Sequence, residues 1–482
     1  MSNVEELTKT YLKRTKTSAR LAEEARKYMP GGDTHGHFYN PPYHITIERG
    51  EGCYLYDVDG NEYIDCVNAY FVLIHGHCFP PIVEALQKQI TRGTGFGMPT
   101  EPQIAFARHL CERVPSLEEV RFVSSGSEAT SMAIRAARAF TGRRKILKVE
   151  GGYHGTHNIG ELNSFGGSLS RGELKPMPPI GADGSEIYDV ILFPYNDADT
   201  LERIVAGKVD EIAALIVEPM IIPSGAIPPV PGYLEAVREI TKKHDIVLIF
   251  DEVVTLPFYY GGLQEYYGVT PDMTTMGKGI GGGLPIGAWG GKREIMEMWN
   301  PERGEDAVIM VSTSGGNPLS MVAGLAAMKH LGRQEIERRN ELGNRLRNGM
   351  NKVFRDLGIR GHVSGLANAF WIHWSDGPVR DPYAVGEAMA NGSENIRNLL
   401  FLGMRYHGVY LFPSPSPFGN LSTQMETEHV DSIVSAFSQT LEELRPVIEK
   451  ERPNLLCQGR SGLKKARRIC ESRERGIRWK RA

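Results

Sequence analysis

The sequence predicts an α/β protein, with a large domain built on a mostly parallel sheet and a smaller α+β domain. Two observations carry this prediction. From residue 101, apolar runs of strand length alternate with helical stretches, the pattern of βαβ units whose parallel sheet is covered on both faces. From about 335, long helical stretches surround a single strand-like run at 369–374.

Taken in order, residues 1–100 form an N-terminal segment. Charged residues at helical spacing over 3–28 predict one helix, ending before Met29-Pro30-Gly31-Gly32. Extended runs follow at 43–48, 53–57 and 62–65, the last two joined by the turn Asp57-Val-Asp-Gly-Asn61, which predicts a small hairpin sheet. Residues 101–333 form the large domain. Its predicted strands are Glu119–Val123, Lys145–Val149, Val190–Phe193, Ile212–Val217, 246–251 and 286–290. Residues 334–452 form the small domain, with helices near 335–355, 384–403 and 427–449. Residues 453–482 read as a basic, disordered tail with few apolar residues and no period.

Composition narrows the class. With 482 residues, 41% hydrophobic and 23% charged, the chain is an ordinary globular protein with room for two or three domains. The net charge of -3 carries no nucleic-acid signature. That average hides an asymmetry: from Leu455 onward ten Lys/Arg oppose two Glu, or +8, leaving -11 for residues 1–454. The six cysteines show no CxxC spacing, which fits a reducing compartment. The start, Met-Ser-Asn-Val-Glu-Glu, is polar, and no apolar run approaches the roughly 20 residues of a membrane span. The expectation is a cytoplasmic protein without membrane or nucleic-acid partners.

The chemistry is concentrated at predicted strand ends. Lys278 lies between two glycines, about two dozen residues after an apolar run that ends in Asp251. Gly277, Gly279 and Gly282 match a dinucleotide fingerprint, but Leu284-Pro285 breaks the helix it requires. A glycine-flanked lysine beyond a strand-end acid suits pyridoxal 5'-phosphate (PLP). The lysine forms a Schiff base and the acid pairs with the protonated ring nitrogen.

Other strand ends join this pair. Phe122-Val-Ser-Ser-Gly-Ser-Glu-Ala-Thr130 places Ser125, Gly126 and Ser127 at a helix N-terminus, where amides and dipole favour phosphate. Ser127 is equally an N-cap for its own helix. In the loop Glu150-Gly-Gly-Tyr-His-Gly155, Tyr153 either lays its ring on a flat cofactor or is a half-buried turn tyrosine, and His154 beside it is a candidate cofactor contact. Val253 either covers the opposite face or belongs to the core, and Glu218 ends a further strand at the same sheet edge. Thr313 lies in a Ser/Thr/Gly loop before a helix. Two other patterns do not carry chemistry. His75-Gly-His-Cys78 lacks further partners for a metal, and the Ser-Gly-Ser run lacks a GxSxG elbow.

The ordered set Gly126-Ser-Glu-Ala129, Gly151-Gly-Tyr-His-Gly155, Glu218-Pro219, Asp251-Glu-Val253, Lys278 and Thr313 with Asn317-Pro318 resembles the class III, fold-type I PLP-dependent aminotransferases. The likeness runs from about residue 25 to 450. It is closest to the branch holding glutamate-1-semialdehyde aminomutase and β-phenylalanine aminotransferase. The resemblance implies a PLP-dependent transaminase acting between a small-molecule amino donor and a carbonyl acceptor. A PLP isomerase (aminomutase, epimerase or racemase) is the alternative on the same scaffold. It implies a homodimer with shared active sites and Lys278 as Schiff-base lysine and proton shuttle. Asp251 would be the pyridinium partner, with Tyr153 and Val253 sandwiching the ring. Ser127 and Gly126 would hold the phosphate, Thr313 would enter from the other subunit, and Glu218 would support the ring network.

The chain departs from its relatives at the substrate end. His35 stands where β-amino acid enzymes of this branch carry a carboxylate-binding arginine, and Leu411-Phe-Pro-Ser-Pro-Ser-Pro-Phe418 contains none. Without a bidentate clamp, the expected substrate has its carboxylate absent, esterified or remote. His35, Tyr70 and Phe71 are the expected pocket residues, beside Phe412 and Phe418.

Overall fold

The computed structural model describes residues 3–34, 41–164, 174–182, 184–414 and 416–457. His35 and the tail beyond Cys457 lie outside the described residues. Three sheets organise the described residues. The central one has seven strands in the order Glu119–Val123, Gly287–Gly291, Met273–Gly277, Val247–Asp251, Ile212–Val217, Lys145–Val149, Val190–Phe193. Its five strands from Met273–Gly277 to Val190–Phe193 run parallel, as the alternation of strands and helices demands.

Gly287–Gly291 is the exception, antiparallel to both neighbours. The connection from Lys278 to Ile286 is too short for the crossover of about a dozen residues that a parallel return needs, so the chain doubles straight back. The strand carries three glycines because its neighbours press against it. A Cβ on Gly290 would come within 2.1 Å of the Glu119 carbonyl.

The N-terminal hairpins form a second sheet, Ile47–Glu51, Tyr54–Asp57 and Glu62–Asp65, completed by Val409–Tyr410 running parallel to Glu62–Asp65. Cys53, Ile64 and Cys66 share a core with Phe354, Phe370, Phe401 and Phe437 from the C-terminal part. A third, antiparallel sheet joins His362–Ser364, Ala369–His373 and Phe418–Asn420.

Three sequence expectations are corrected. The predicted helix over 3–28 is two, Asn3–Arg14 and Lys16–Ala25. Asp59, from the hairpin turn, accepts the amides of Thr17 at 2.6 Å and Ser18 at 2.9 Å, satisfying donors that would otherwise continue one helix. The helix predicted at 384–403 is also two, Pro382–Asn391 and Glu394–Tyr406, because Ser393 caps the second by accepting from Ile396 N. The first residues of the expected tail are packed against the C-terminal core instead. Pro453–Leu455 forms a turn, Leu455 is buried in the C-terminal core, and Arg360 N donates to its carbonyl at 2.7 Å. Among the described residues no helix is long and apolar enough to cross a membrane.

Candidate active site

The carboxyl ends of the parallel strands converge on one region. Asp251 ends its strand, buried, and is held by three donors or partners. His154 Nδ1 lies 2.8 Å from Oδ2, while Thr275 Oγ1 and the Val253 amide each lie 3.1 Å from Oδ1. His154 comes from the loop after Lys145–Val149, two strands away, and is itself fully buried. Burial depresses its pKa, against the pull of Asp251. A neutral His154 donating from Nδ1 leaves Nε2 as an acceptor, and Nε2 is buried without a partner among the described residues.

Lys278 begins the turn after Met273–Gly277, half-buried, with a left-handed φ of 48°. Such a conformation is uncommon for a non-glycine residue and is met at functional sites. Burial lowers its pKa, while Glu218 and Asp251 oppose the shift. Glu218 is buried in the same region and accepts from Tyr153 N at 3.3 Å and Ile222 N at 3.1 Å. Burial, with Asp251's charge, pushes its pKa up to about 8.

The helix Gly126–Thr141 starts against this cluster. Its cap is Ser125, whose Oγ accepts from Glu128 N at 3.2 Å, so Ser127 is not the cap that the sequence also allowed. The Gly126 and Ser127 amides have no acceptor within the helix. Ser127 Oγ instead accepts from Thr156 N at 3.0 Å. Gly126 is required by proximity, because a Cβ there would meet Val253 Cγ1 at 2.8 Å. Gly155 is required twice over, by a φ of 105° and by Ser127 Cα at 2.6 Å from an added Cβ. Val253 sits in the turn after the strand rather than on it, packed toward Gly126 and Gly277. Tyr153 is half-buried in the loop over Glu218. Thr313 is exposed, next to Ser312, whose Oγ donates to Glu128 at 3.2 Å.

A cavity of about 310 Å³ is lined by Tyr43, His44, Tyr70, Tyr410 and Phe412, with Arg26 on its wall; its Tyr70 belongs to the Asn68–Phe71 turn, which packs against the Lys278–Gly281 turn. Of the expected pocket residues, Tyr70 lines this cavity. Phe71 does not line this cavity: it is buried, stacked on Trp371 at 5.8 Å and Phe418 at 6.0 Å. The reason is the backbone. Asn68, Ala69, Tyr70 and Phe71 have φ of 48°, 49°, 62° and 71°, a left-handed turn whose successive side chains diverge. Its cost is on the order of 1–2 kcal/mol per residue. A larger cavity of about 510 Å³, near Arg108, Glu119 and Asn300, contains none of these residues.

Sequence reasoning missed Lys148. This fully buried lysine donates to the carbonyls of Gly160 and Leu162, and burial lowers its pKa to about 7. Gly160 O also accepts from His154 N at 3.0 Å, so Lys148 braces the loop that seats His154. The available signal was a charged residue inside a strand that is otherwise apolar at its centre.

The profile of the class-III aminotransferases matches residues 38–366, and the chain belongs to that family. It is 40% identical over 422 residues to the glutamate-1-semialdehyde 2,1-aminomutase of Methanothrix thermoacetophila, covering 87% of this chain and 95% of the relative. An omega-transaminase from Sphaerobacter thermophilus is 41% identical, with a TM-score of 0.84 over 89% of this chain and 98% of that one. A transaminase solved with PLP bound is 33% identical, with a TM-score of 0.82 over 91% and 99%. The fold is the PLP transferase fold expected from the sequence, and the cofactor is PLP. The residues present fit it: a half-buried amine, a carboxylate fixed by three partners, free amides at a helix start, and the unpartnered His154 Nε2 behind them.

Proposed function

We propose that the chain is a PLP-dependent aminomutase, shifting an amino group within one small amino-carbonyl substrate, with Lys278 as its covalent lysine. The observation that supports this most is the likeness to a glutamate-1-semialdehyde 2,1-aminomutase along nearly the whole of both chains. Transamination between two substrates is the second reading, favoured by the 41% identity to an omega-transaminase.

When bound, PLP supplies an aldehyde that captures amines and a protonated ring that withdraws electrons from the neighbouring C–H bond. The chain's residues do the rest. Lys278 would hold the aldehyde, and its amine, whose pKa burial lowers, would take and return the proton at Nζ. Asp251 would face the ring nitrogen, with His154 and Thr275 fixing the carboxylate. Gly126 and Ser127 would hold the phosphate through amides and hydroxyl, joined by Thr313 of the partner subunit in a homodimer. Tyr153 and Val253 would bound the ring faces. Glu218 would carry a proton beside Lys278 and so spare the site a second buried negative charge. The cavity at Tyr70 would take the substrate's far end, where Arg26 is the guanidinium available to a remote carboxylate. A cytoplasmic location accords with the free cysteines at the described positions.

One measurement separates the readings. Holoenzyme is given glutamate-1-semialdehyde alone, then an amine alone, each without acceptor. An aminomutase turns over the first repeatedly; a transaminase stops after about one equivalent per site. Single-equivalent behaviour with both compounds would reject the aminomutase reading.

A further inference from the structure

The left-handed turn Asn68–Phe71 lies against the Lys278–Gly281 turn and carries Tyr70 into the cavity wall. Four consecutive non-glycine residues with positive φ do not hold that shape unaided, since only Asn among them visits it readily. The structure shows what holds it. Asp65 Oδ1 accepts the amides of Val67 at 2.8 Å and Asn68 at 3.0 Å, and its Oδ2 lies 2.8 Å from His77 Nε2. Asn68 Nδ2 donates to the Asn420 carbonyl at 3.0 Å and to its Oδ1 at 3.1 Å. Asn420 Nδ2 returns a bond to the Val67 carbonyl at 3.3 Å, and Asn420 N donates to the Cys66 carbonyl at 2.8 Å. Both asparagines are buried.

Asn420 thus approaches the turn from the far side, at the end of Phe418–Asn420. That strand also presents Phe418, which stacks on Phe412 at 4.1 Å, and Phe412 meets Tyr70 edge-on at 4.7 Å. The same short strand fixes both the turn and the ring against which Tyr70 rests.

We infer that Asn68 and Asn420 are positioning residues for substrate specificity: their paired hydrogen bonds lock the left-handed turn and set how far Tyr70 reaches into the cavity. Substrates with a flat or bulky group at the end remote from the amine are the class whose binding this lock governs. The inference rests on the reading that Lys278 works on an amine held in this cavity.

The test uses holoenzyme and the variants Asn420→Ala, Asn68→Gly, Tyr70→Ala and the double variant Tyr70→Ala/Asn420→Ala. Asn68→Gly keeps a residue that adopts positive φ freely and removes only the anchor. Dissociation constants for 1-phenylethylamine and 2-aminopropane, which differ by phenyl against methyl, are read from the change in cofactor absorbance, with or without turnover. Asn420→Ala and Asn68→Gly should each shift the ratio of the two constants at least fivefold, in the same direction as Tyr70→Ala. In the Tyr70→Ala background, Asn420→Ala should shift it less than twofold, because the residue it positions is gone. Borohydride should still attach the cofactor at Lys278 in every variant. A ratio within twofold of wild type, or an additive effect in the double variant, overturns the inference. A merely structural role would lower thermal stability and leave the ratio alone. If wild-type protein shows neither amine response nor label at Lys278, the functional reading has failed instead. Crystals of the Asn68→Gly protein then decide the lock by itself: a displaced Tyr70 ring upholds it and an unmoved ring overturns it.

Discussion

His154 Nδ1 and Asp251 Oδ2, 97 residues apart in the chain, meet at 2.8 Å inside the sheet edge, out of reach of solvent. Asp251 receives two further bonds, from Thr275 and Val253, so the orientation of its carboxylate is fixed on both oxygens. A preorganised carboxylate costs no reorientation when charge develops opposite it. Replacing Asp251 by Asn keeps the shape and removes the charge. Turnover should fall by well over tenfold, equivalent to more than about 1.4 kcal/mol of barrier, while PLP remains bound. His154→Gln should cost less, because Thr275 and Val253 stay. Rates for Asp251→Asn within about threefold of wild type would remove Asp251 from the role.

Lys278 is the one lysine that borohydride should fix to the cofactor. Peptide mapping after reduction should place the label between Met276 and Ile286, and Lys278→Ala should abolish it. Turnover in that variant should drop at least roughly a thousandfold, as expected when a positioned acid–base group and covalent tether are lost together. A label on Lys148, the other buried lysine of the region, is the outcome that contradicts the assignment.

Glu218 should leave a mark on the pH dependence of stability. Its folded pKa of about 8 stands above the ordinary carboxyl value of 4.5, so the folded state binds more protons between those limits. Stability due to this group therefore falls as pH rises through that window. Glu218→Gln carries no titrating proton, so the stability of wild type relative to this variant should decline from about pH 5 to about pH 8. A constant difference across that range would mean that Glu218 is ionised throughout.

Two truncations separate the tail from the core. Ending the chain after Cys457 should leave melting temperature and borohydride labelling unchanged. Ending it after Arg452 removes buried Leu455, a loss of roughly 1.5–3 kcal/mol, and should lower the melting temperature by several degrees. Equal melting temperatures for the two would show that Leu455 contributes nothing.

Much of this was legible because it is written locally. Runs such as Ile212–Val217 are apolar over strand length and bounded by polar residues, so their extent was predictable to within a residue. Ser125, Asp251 and Lys278 announce themselves through position: Asp251 closes an apolar run, Ser125 stands just past one at a helix start, and Lys278 lies between two glycines. What escaped depends on partners distant in the chain. The break at Thr15 needs Asp59, the burial of Phe71 needs Trp371 and Phe418, and the bracing by Lys148 needs a carbonyl twelve residues on. The direction of Gly287–Gly291 could have been read from the shortness of its connection to Lys278.

The pairing of Val409–Tyr410 with Glu62–Asp65 has a consequence for synthesis. On the ribosome, the hairpins emerge first and must wait for more than three hundred residues before the strand that closes their edge appears. Until then Glu62–Asp65 offers open amides and carbonyls to any passing strand, a hazard for a nascent chain. The substrate wall is built from the same two ends, since Asn68 meets Asn420 across 352 positions. Chaperone demand should peak before Val409–Tyr410 and Asn420 are made, and a chain stalled there can hold a finished central sheet yet have no pocket.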